Sequence, residues 1–198
     1  AIIKYIQNNF RYVSMSFGYN CYEPHPSDEV FNNKYGDCKD QTLVCMAMLK
    51  EAGITSYPAL FCDEDSVNPK DKLPMPSYFN HIILCIKIDS KIYYVDVLQK
   101  GYRFDELPPL LSCGYVFVVN DAGGFFKQLP ILDESENTHI ERIVVDIKED
   151  GSAIIDDHTL WARDLSVGLK EQWKELTDKQ KDKFMESLEE SLTAGGKM

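Results

Sequence analysis

The sequence has no CxxC pair, only four histidines, no internal repeat and no apolar run of membrane-spanning length. Cysteines without CxxC pairing fit a reduced chain, although six of them leave room for one disulfide. The shortage of apolar length excludes a membrane-spanning helix in these 198 residues. Basic residues are also scarce. Lys and Arg number 21 against 32 Asp and Glu, a net charge of -11, which argues against nucleic-acid binding because phosphate contacts require cations. No secretory leader pattern is present. The opening Ala1-Ile2-Ile3-Lys4-Tyr5-Ile6 reads as the middle of an amphipathic helix. That start predicts a fragment of a longer polypeptide and leaves localisation undecided.

What is present is the composition of a globular protein, 44% hydrophobic and 12% aromatic. Of the six cysteines, Cys45 and Cys85 lie in apolar stretches and read as buried free thiols. A helix is expected over 1–10, an extended segment from Arg11 to Ser16, and a Tyr/Pro/Asn-rich loop from Gly18 to Ser27. The best-marked element is a helix starting at Asp37 or Cys38 and ending near Ala52. Asp37 can cap it, Asp40 supplies the reciprocal acidic group, and Gly53 suits the left-handed stop. Its interior, Leu43 to Leu49, is apolar nearly all round, which predicts burial on most sides.

Strands are expected at Pro58–Cys62, His81–Ile88, Lys91–Val97 and Tyr115–Val119, with a polar loop from Asp63 to Pro76 placed to cover a cleft. Asp150-Gly151 marks a hairpin joining Ile140–Lys148 to Ser152–Thr159. From Asp164 to Leu192 the pattern is helical and charged, with Leu165, Leu169, Trp173, Leu176, Phe184 and Leu188 on its apolar side. The polar break at Leu132–Thr138 divides the chain into 1–132 and an accessory segment, 133–198. The fold class is therefore α+β, a cysteine-bearing helix packed on an antiparallel sheet, with a C-terminal hairpin and helix appendage.

Cys38 opens the buried helix, where unpaired N–H groups and the dipole favour an anion. Asp37 and Asp40 oppose that charge, so the thiolate calls for a cation from elsewhere, and a histidine would serve as both charge and base. His81 is the candidate. If the Asp89-Ser90 loop has two or four residues, His81 faces Leu98 and Asp96 is its diagonal neighbour on one sheet face. A three-residue loop would put them on opposite faces. With the favourable loop, Cys38, His81 and Asp96 form a nucleophile, a base and an orienting carboxylate.

Tyr35-Gly36-Asp37-Cys38-Lys39-Asp40 followed by Met48-Leu49-Lys50-Glu51-Ala52-Gly53-Ile54 resembles the nucleophile helix of bacterial transglutaminase-like domains. Phe79-Asn80-His81 and then Tyr93-Tyr94-Val95-Asp96 resemble the rest of that signature, in the same order. The resemblance covers roughly residues 1–125. It implies a papain/transglutaminase-like core, a thioester on Cys38, and peptide hydrolysis or glutamine acyl transfer without a cofactor. It also implies a peptide or protein substrate, neighbouring domains in the parent chain, and a periplasmic or cell-surface setting. The segment from Leu132 resembles the start of the β-rich domain that often follows. The family aspartate is commonly followed by Pro-Thr, whereas Val97-Leu98 follows here. Family members add an oxyanion donor from the preceding loop, for which Tyr19 is the choice and Tyr22 the next. The alternative function is a catalytically inactive module that docks a peptide or protein in the same cleft. His25, His139 and His158 read as surface or hairpin residues. Cys21, His25 and Cys38 lack the paired spacing of a metal site, and Asp63–Asp71 lacks that of a calcium loop.

Overall fold

The computed structural model describes residues 1–14, 18–62, 73, 75–133, 135 and 137–193. The loop expected over Asp63–Pro76, up to Pro74, lies outside them apart from Leu73. So do the last residues of the expected Arg11–Ser16 segment. Among the described residues no helix is long and apolar enough to cross a membrane. The chain divides into two compact units, Ala1–Asp133 and Glu134–Met198.

The first unit is α+β. Helix α1 (Ile2–Asn9) leads into a two-residue strand β1 (Arg11–Tyr12), which pairs in parallel with β2 (Tyr35–Gly36). Between them lie a 3-10 turn at Gly18–Cys21 and a short helix α2 (Ser27–Asn33). The sequence pattern does not announce α2, because Val30 is its single buried residue. Lys34 closes it in the left-handed conformation. Helix α3 (Cys38–Glu51) follows at once.

Five antiparallel strands make one sheet in the order β5-β4-β3-β6-β7. They are β3 (Thr55–Cys62), β4 (His81–Ile88), β5 (Lys91–Val95), β6 (Tyr115–Val118) and β7 (Phe125–Gln128). Strand β7 was not expected, being four residues behind a Gly123-Gly124 turn. One sheet face packs on α3, with Leu84, Ile86, Val95 and Val97 against Val44, Cys45 and Leu49. The other face buries Ala59, Phe61, Ile83, Cys85, Val116 and Val118 with Leu111 and Leu129. Both Cys45 and Cys85 are buried, and desolvation pushes their thiols up to about 12 and about 11. They are core filler, inert at neutral pH.

Helix α3 departs from expectation in what it buries. Its first turns bury Asp40, Gln41 and Thr42, while Ala47 is exposed. The buried polar groups are bonded. Gln41 Nε2 donates to the carbonyls of Arg11 and Gly36, and the Thr42 hydroxyl to that of Ile82. These bonds tie the start of α3 to β1, β2 and β4.

The second unit holds a hairpin, β8 (His139–Ile147) and β9 (Ala153–Trp161), followed by helices α4 (Asp164–Glu175) and α5 (Asp178–Thr193). The helical stretch expected as one run breaks at Leu176-Thr177, and Trp173 meets Phe184 edge to face across the break, 5.8 Å between centroids. Ile140, Val144, Val145, Ile147 and Ile155 remain exposed on the hairpin.

Candidate active site

The start of α3 is built by five consecutive residues, Gly36 to Asp40, with different tasks. Asp37 caps the helix, its carboxylate accepting from the Lys39 and Asp40 amides, and Asp40 returns the bond to the Asp37 N–H at 3.1 Å. Lys39 Nζ neutralises Asp37 at 2.5 Å. Gly36 provides space, because a Cβ there would sit 2.6 Å from the Asp40 Cβ. Cys38 is the first helical residue and half-buried. The Gln41 N–H closes onto the Asp37 carbonyl. Among the described hydrogen bonds of this turn, the Cys38 N–H is the one amide not consumed, as helix geometry dictates for a first position.

Gly36→Ala is expected to destabilise the fold by about 1–3 kcal/mol, the usual cost of overpacking a close contact. The new methyl must displace a buried carboxylate held from several sides. Thermal denaturation measures this, and an unchanged midpoint would show that Asp40 can give way.

His81 is the first residue of β4 and Asp96 follows the last residue of β5. The register pairs Ile88 with Lys91 and Leu84 with Val95, so the connecting loop is Asp89-Ser90 alone, with Asp89 at φ 53°. Extending that register sets His81 opposite Leu98 and Asp96 on the diagonal. His81 Nε2 meets Asp96 Oδ2 at 2.8 Å, and Asp96 Oδ1 accepts from the Leu98 N–H, also at 2.8 Å. The Val97-Leu98 that follows the aspartate thus supplies a backbone donor that holds it. Asp96 is buried, and the His81 ring stands edge-on to Phe61.

Strand alternation directs Ile82, Leu84 and Ile86 toward α3 and groups His81 with Ile83 and Cys85. The Cys38 side chain nevertheless lies close enough to the His81 ring to favour its charged form. Both residues open their elements, so the contact is made past the end of the helix–sheet interface. With Nε2 engaged by Asp96, Nδ1 is the nitrogen left for sulfur. Burial pulls the imidazole down. Hydrogen bonds and charge from Asp96 and Cys38 together outweigh it and hold His81 up at about 10. At neutral pH the ring is therefore a cation.

Cys38 and His81 line a cleft of about 1010 Å³. Tyr22 lines it and is 74% exposed, whereas Tyr19 is 90% exposed and is not among its lining residues. Tyr12 was missed. It pairs with Gly36, two residues from the cysteine, and lines the cleft. Partial burial and the charges of Cys38 and Asp37 raise its phenol above the usual range, against a Ser14 hydrogen bond and the Lys39 charge. A parallel pairing of two-residue strands leaves no readable signal for its position. His25 corrects the surface reading. Its N–H donates to Asp40 Oδ1 at 2.8 Å, its Nδ1 lies 3.2 Å from both Asp40 oxygens, and Asn20 Nδ2 meets its Nε2 at 2.9 Å. With Asn20 donating, Nε2 accepts and the ring proton sits on Nδ1, facing Asp40. His25 thereby fastens the loop carrying Cys21 and Tyr22 to the base of α3. Among the described residues no cluster of His, Cys, Asp and Glu could hold a metal ion.

No protein-family model and no curated protein matches the chain. Among solved structures it is similar to a candidate protease from Parabacteroides distasonis. The TM-score is 0.51 at 14% identity, over 74% of this chain and 29% of that one. A candidate cysteine protease from Cytophaga hutchinsonii gives 16% identity over 81% of this chain and 43% of that one. Its TM-score of 0.39 is too low to establish a shared fold. The chain thus spans less than half the length of either protein. The first likeness, at so low an identity, establishes similarity of fold.

Proposed function

We propose that the first unit is a transglutaminase-like cysteine peptidase domain, with Cys38 as nucleophile, His81 as base and acid, and Asp96 as the group that orients the imidazole. The observation that carries this reading is that Cys38 and His81 line one cleft, with the His81 ring bonded at 2.8 Å to the buried Asp96 carboxylate. The Parabacteroides distasonis protein, a candidate protease of similar fold, points the same way.

In the mechanism, the Cys38 thiolate adds to an amide carbonyl carbon and the oxygen becomes an oxyanion. The unspent Cys38 N–H faces that charge at the positive end of α3. Collapse breaks the C–N bond as the His81 imidazolium gives its proton to the departing amine, leaving a thioester. Neutral His81 then takes a proton from water, which attacks the thioester, and the acid leaves with the thiolate restored. An amine in place of water would give acyl transfer. Hydrolysis is favoured because water is the abundant acceptor and, among the described lining residues, no unpaired carboxylate is present to hold an amine. Tyr12 and Tyr22, which line the cleft, stand ahead of Tyr19 as candidate second donors to the oxyanion, with Tyr12 placed best by its pairing to Gly36.

The second unit is proposed as the start of a β-rich accessory domain. A lone hairpin with apolar side chains exposed on both faces is marginal in water and calls for further strands to cover it.

The test of the catalytic reading is alkylation by iodoacetamide at mildly acidic pH, with peptide mapping. Cys38 should label stoichiometrically while the buried Cys45, Cys62 and Cys85 are spared. Equal labelling of the exposed Cys21 and Cys113 would show that the Cys38 environment confers no special reactivity.

A further inference from the structure

Four residues from four neighbouring strands form one transverse row. Ile82 pairs with Leu60, Leu60 with Phe117, and Phe117 with Phe126. Directly paired residues of antiparallel strands point to the same face, and for Ile82 that is the face on which α3 packs. The apolar cluster under α3 includes Leu84 and Ile86 but none of these four. Leu60, Phe117 and Phe126 accordingly stay half-exposed, and all four line the cleft that holds Cys38 and His81. Phe79, two residues before His81, stacks on Phe126 at 24° and 6.4 Å, and Phe126 meets Phe117 at 4.9 Å. The sheet thus carries an apolar, largely aromatic floor from the catalytic end of β4 out to β7, over a stretch that the helix leaves bare.

The charges around the cleft are already matched. Lys39 is bound to Asp37, and His81 to Asp96. Among the described lining residues no carboxylate or ammonium remains to receive a charged side chain, so burying one there would cost desolvation without compensation. An apolar side chain would gain on every atom that it covers.

We infer that this floor is a side-chain subsite for a bulky apolar residue, aromatic or branched aliphatic, next to the amide that Cys38 attacks. The substrate class is a peptide with such a residue beside the scissile bond, not one with an acidic, basic or glycine residue there. The inference rests on the catalytic reading for the position of the amide. The subsite itself can be measured without turnover.

The experiment uses the full chain carrying Cys38→Ala, titrated calorimetrically with blocked tripeptide amides that share their flanks and carry Phe, Leu, Gly, Glu or Lys at the centre. The Phe and Leu peptides should bind about tenfold or more tighter than the other three, as expected for filling an apolar pocket. Adding Phe126→Ala should reduce that preference to within about threefold. Phe126 is half-exposed on the edge strand, so this change spares the core, and the iodoacetamide rate of Cys38 in the single Phe126→Ala protein reports whether the site is still assembled. Phe117→Leu, which keeps the volume apolar, should retain the preference for Leu. The unmodified chain is then assayed for cleavage of the same series. Cleavage without preference among the five peptides would overturn the subsite and leave the catalytic reading standing. Selective binding of Phe and Leu with no peptide cleaved would support the subsite and count against catalysis. Tighter binding of Glu or Lys would overturn the inference outright.

Discussion

Peptide hydrolysis should fall by on the order of 10³-fold or more when Cys38 is replaced by alanine, with the fold intact. The substitution removes the atom that forms the thioester and leaves nothing nearby to take its place. Structure should survive because the cap is made by Asp37 and Asp40, and alanine is well tolerated in a helix. Replacing His81 by alanine should cost nearly as much. It removes the cation beside the sulfur, the acid that protonates the leaving amine and the base that activates water. The double replacement should be scarcely worse than either single one, because members of such a unit do not contribute independently. Rates on an apolar-centred peptide, with circular dichroism to verify folding, decide the matter. Substantial activity in the Cys38 variant would remove the thioester mechanism altogether. Multiplying losses in the double variant would mean that Cys38 and His81 act in separate steps.

The parts of this site that were legible in the sequence are those set by local rules. The two-residue Asp89-Ser90 loop fixes strand parity, and parity alone places Asp96 diagonal to His81, where the structure has them 2.8 Å apart. The cap of α3 could be read from Asp37 and Asp40 because both ends of that interaction lie within one turn. What escaped depends on contacts between distant segments or on elements too short for a period. Helix α2 has seven residues with one buried, which is no stripe. The position of Tyr12 comes from a parallel pairing across 23 residues between Tyr12 and Gly36. His25 reads as a loop histidine until Asp40, fifteen residues on, is seen beneath it. The apolar floor is a property of register across four strands, and β7 was not foreseen at all.

The space demanded at Gly36 connects these pieces. Asp40 is at once the returning half of the helix cap and the acceptor for His25. One buried carboxylate therefore sets both the pose of the Cys38 amide and the anchoring of the loop that walls the cleft. Glycine at position 36 lets that carboxylate approach, so the Gly-Asp-Cys run is a packing solution as much as a chemical one.

Asp96→Asn should move the alkaline end of the activity profile downward. In the wild-type chain His81 titrates at about 10, with burial opposing the charge and Asp96 and Cys38 together overcoming it. Loss of the Asp96 charge leaves burial opposed by Cys38 alone, so the imidazolium gives up its proton at lower pH. The leaving amine needs that proton, and hydrolysis in the variant should therefore decline well before pH 10, where the wild type still works. Stability follows the same sign. A histidine raised from 6.5 to about 10 by folding contributes its full stabilisation below about 6.5, progressively less through the window between, and none once the pH has passed about 10. The stability gap between wild type and variant should accordingly be widest at pH 6 and close toward pH 10.5. Asparagine can still accept the Leu98 N–H through its own oxygen, so backbone support at the end of β5 is retained, while its NH2 then faces His81 Nε2 and both the charge and the acceptor that favour the imidazolium are lost. Two measurements suffice, hydrolysis rate against pH and the His81 ring resonances by NMR. Superimposable profiles for the two proteins would mean that Asp96 does not set the protonation of His81, and its part would then reduce to holding the end of β5.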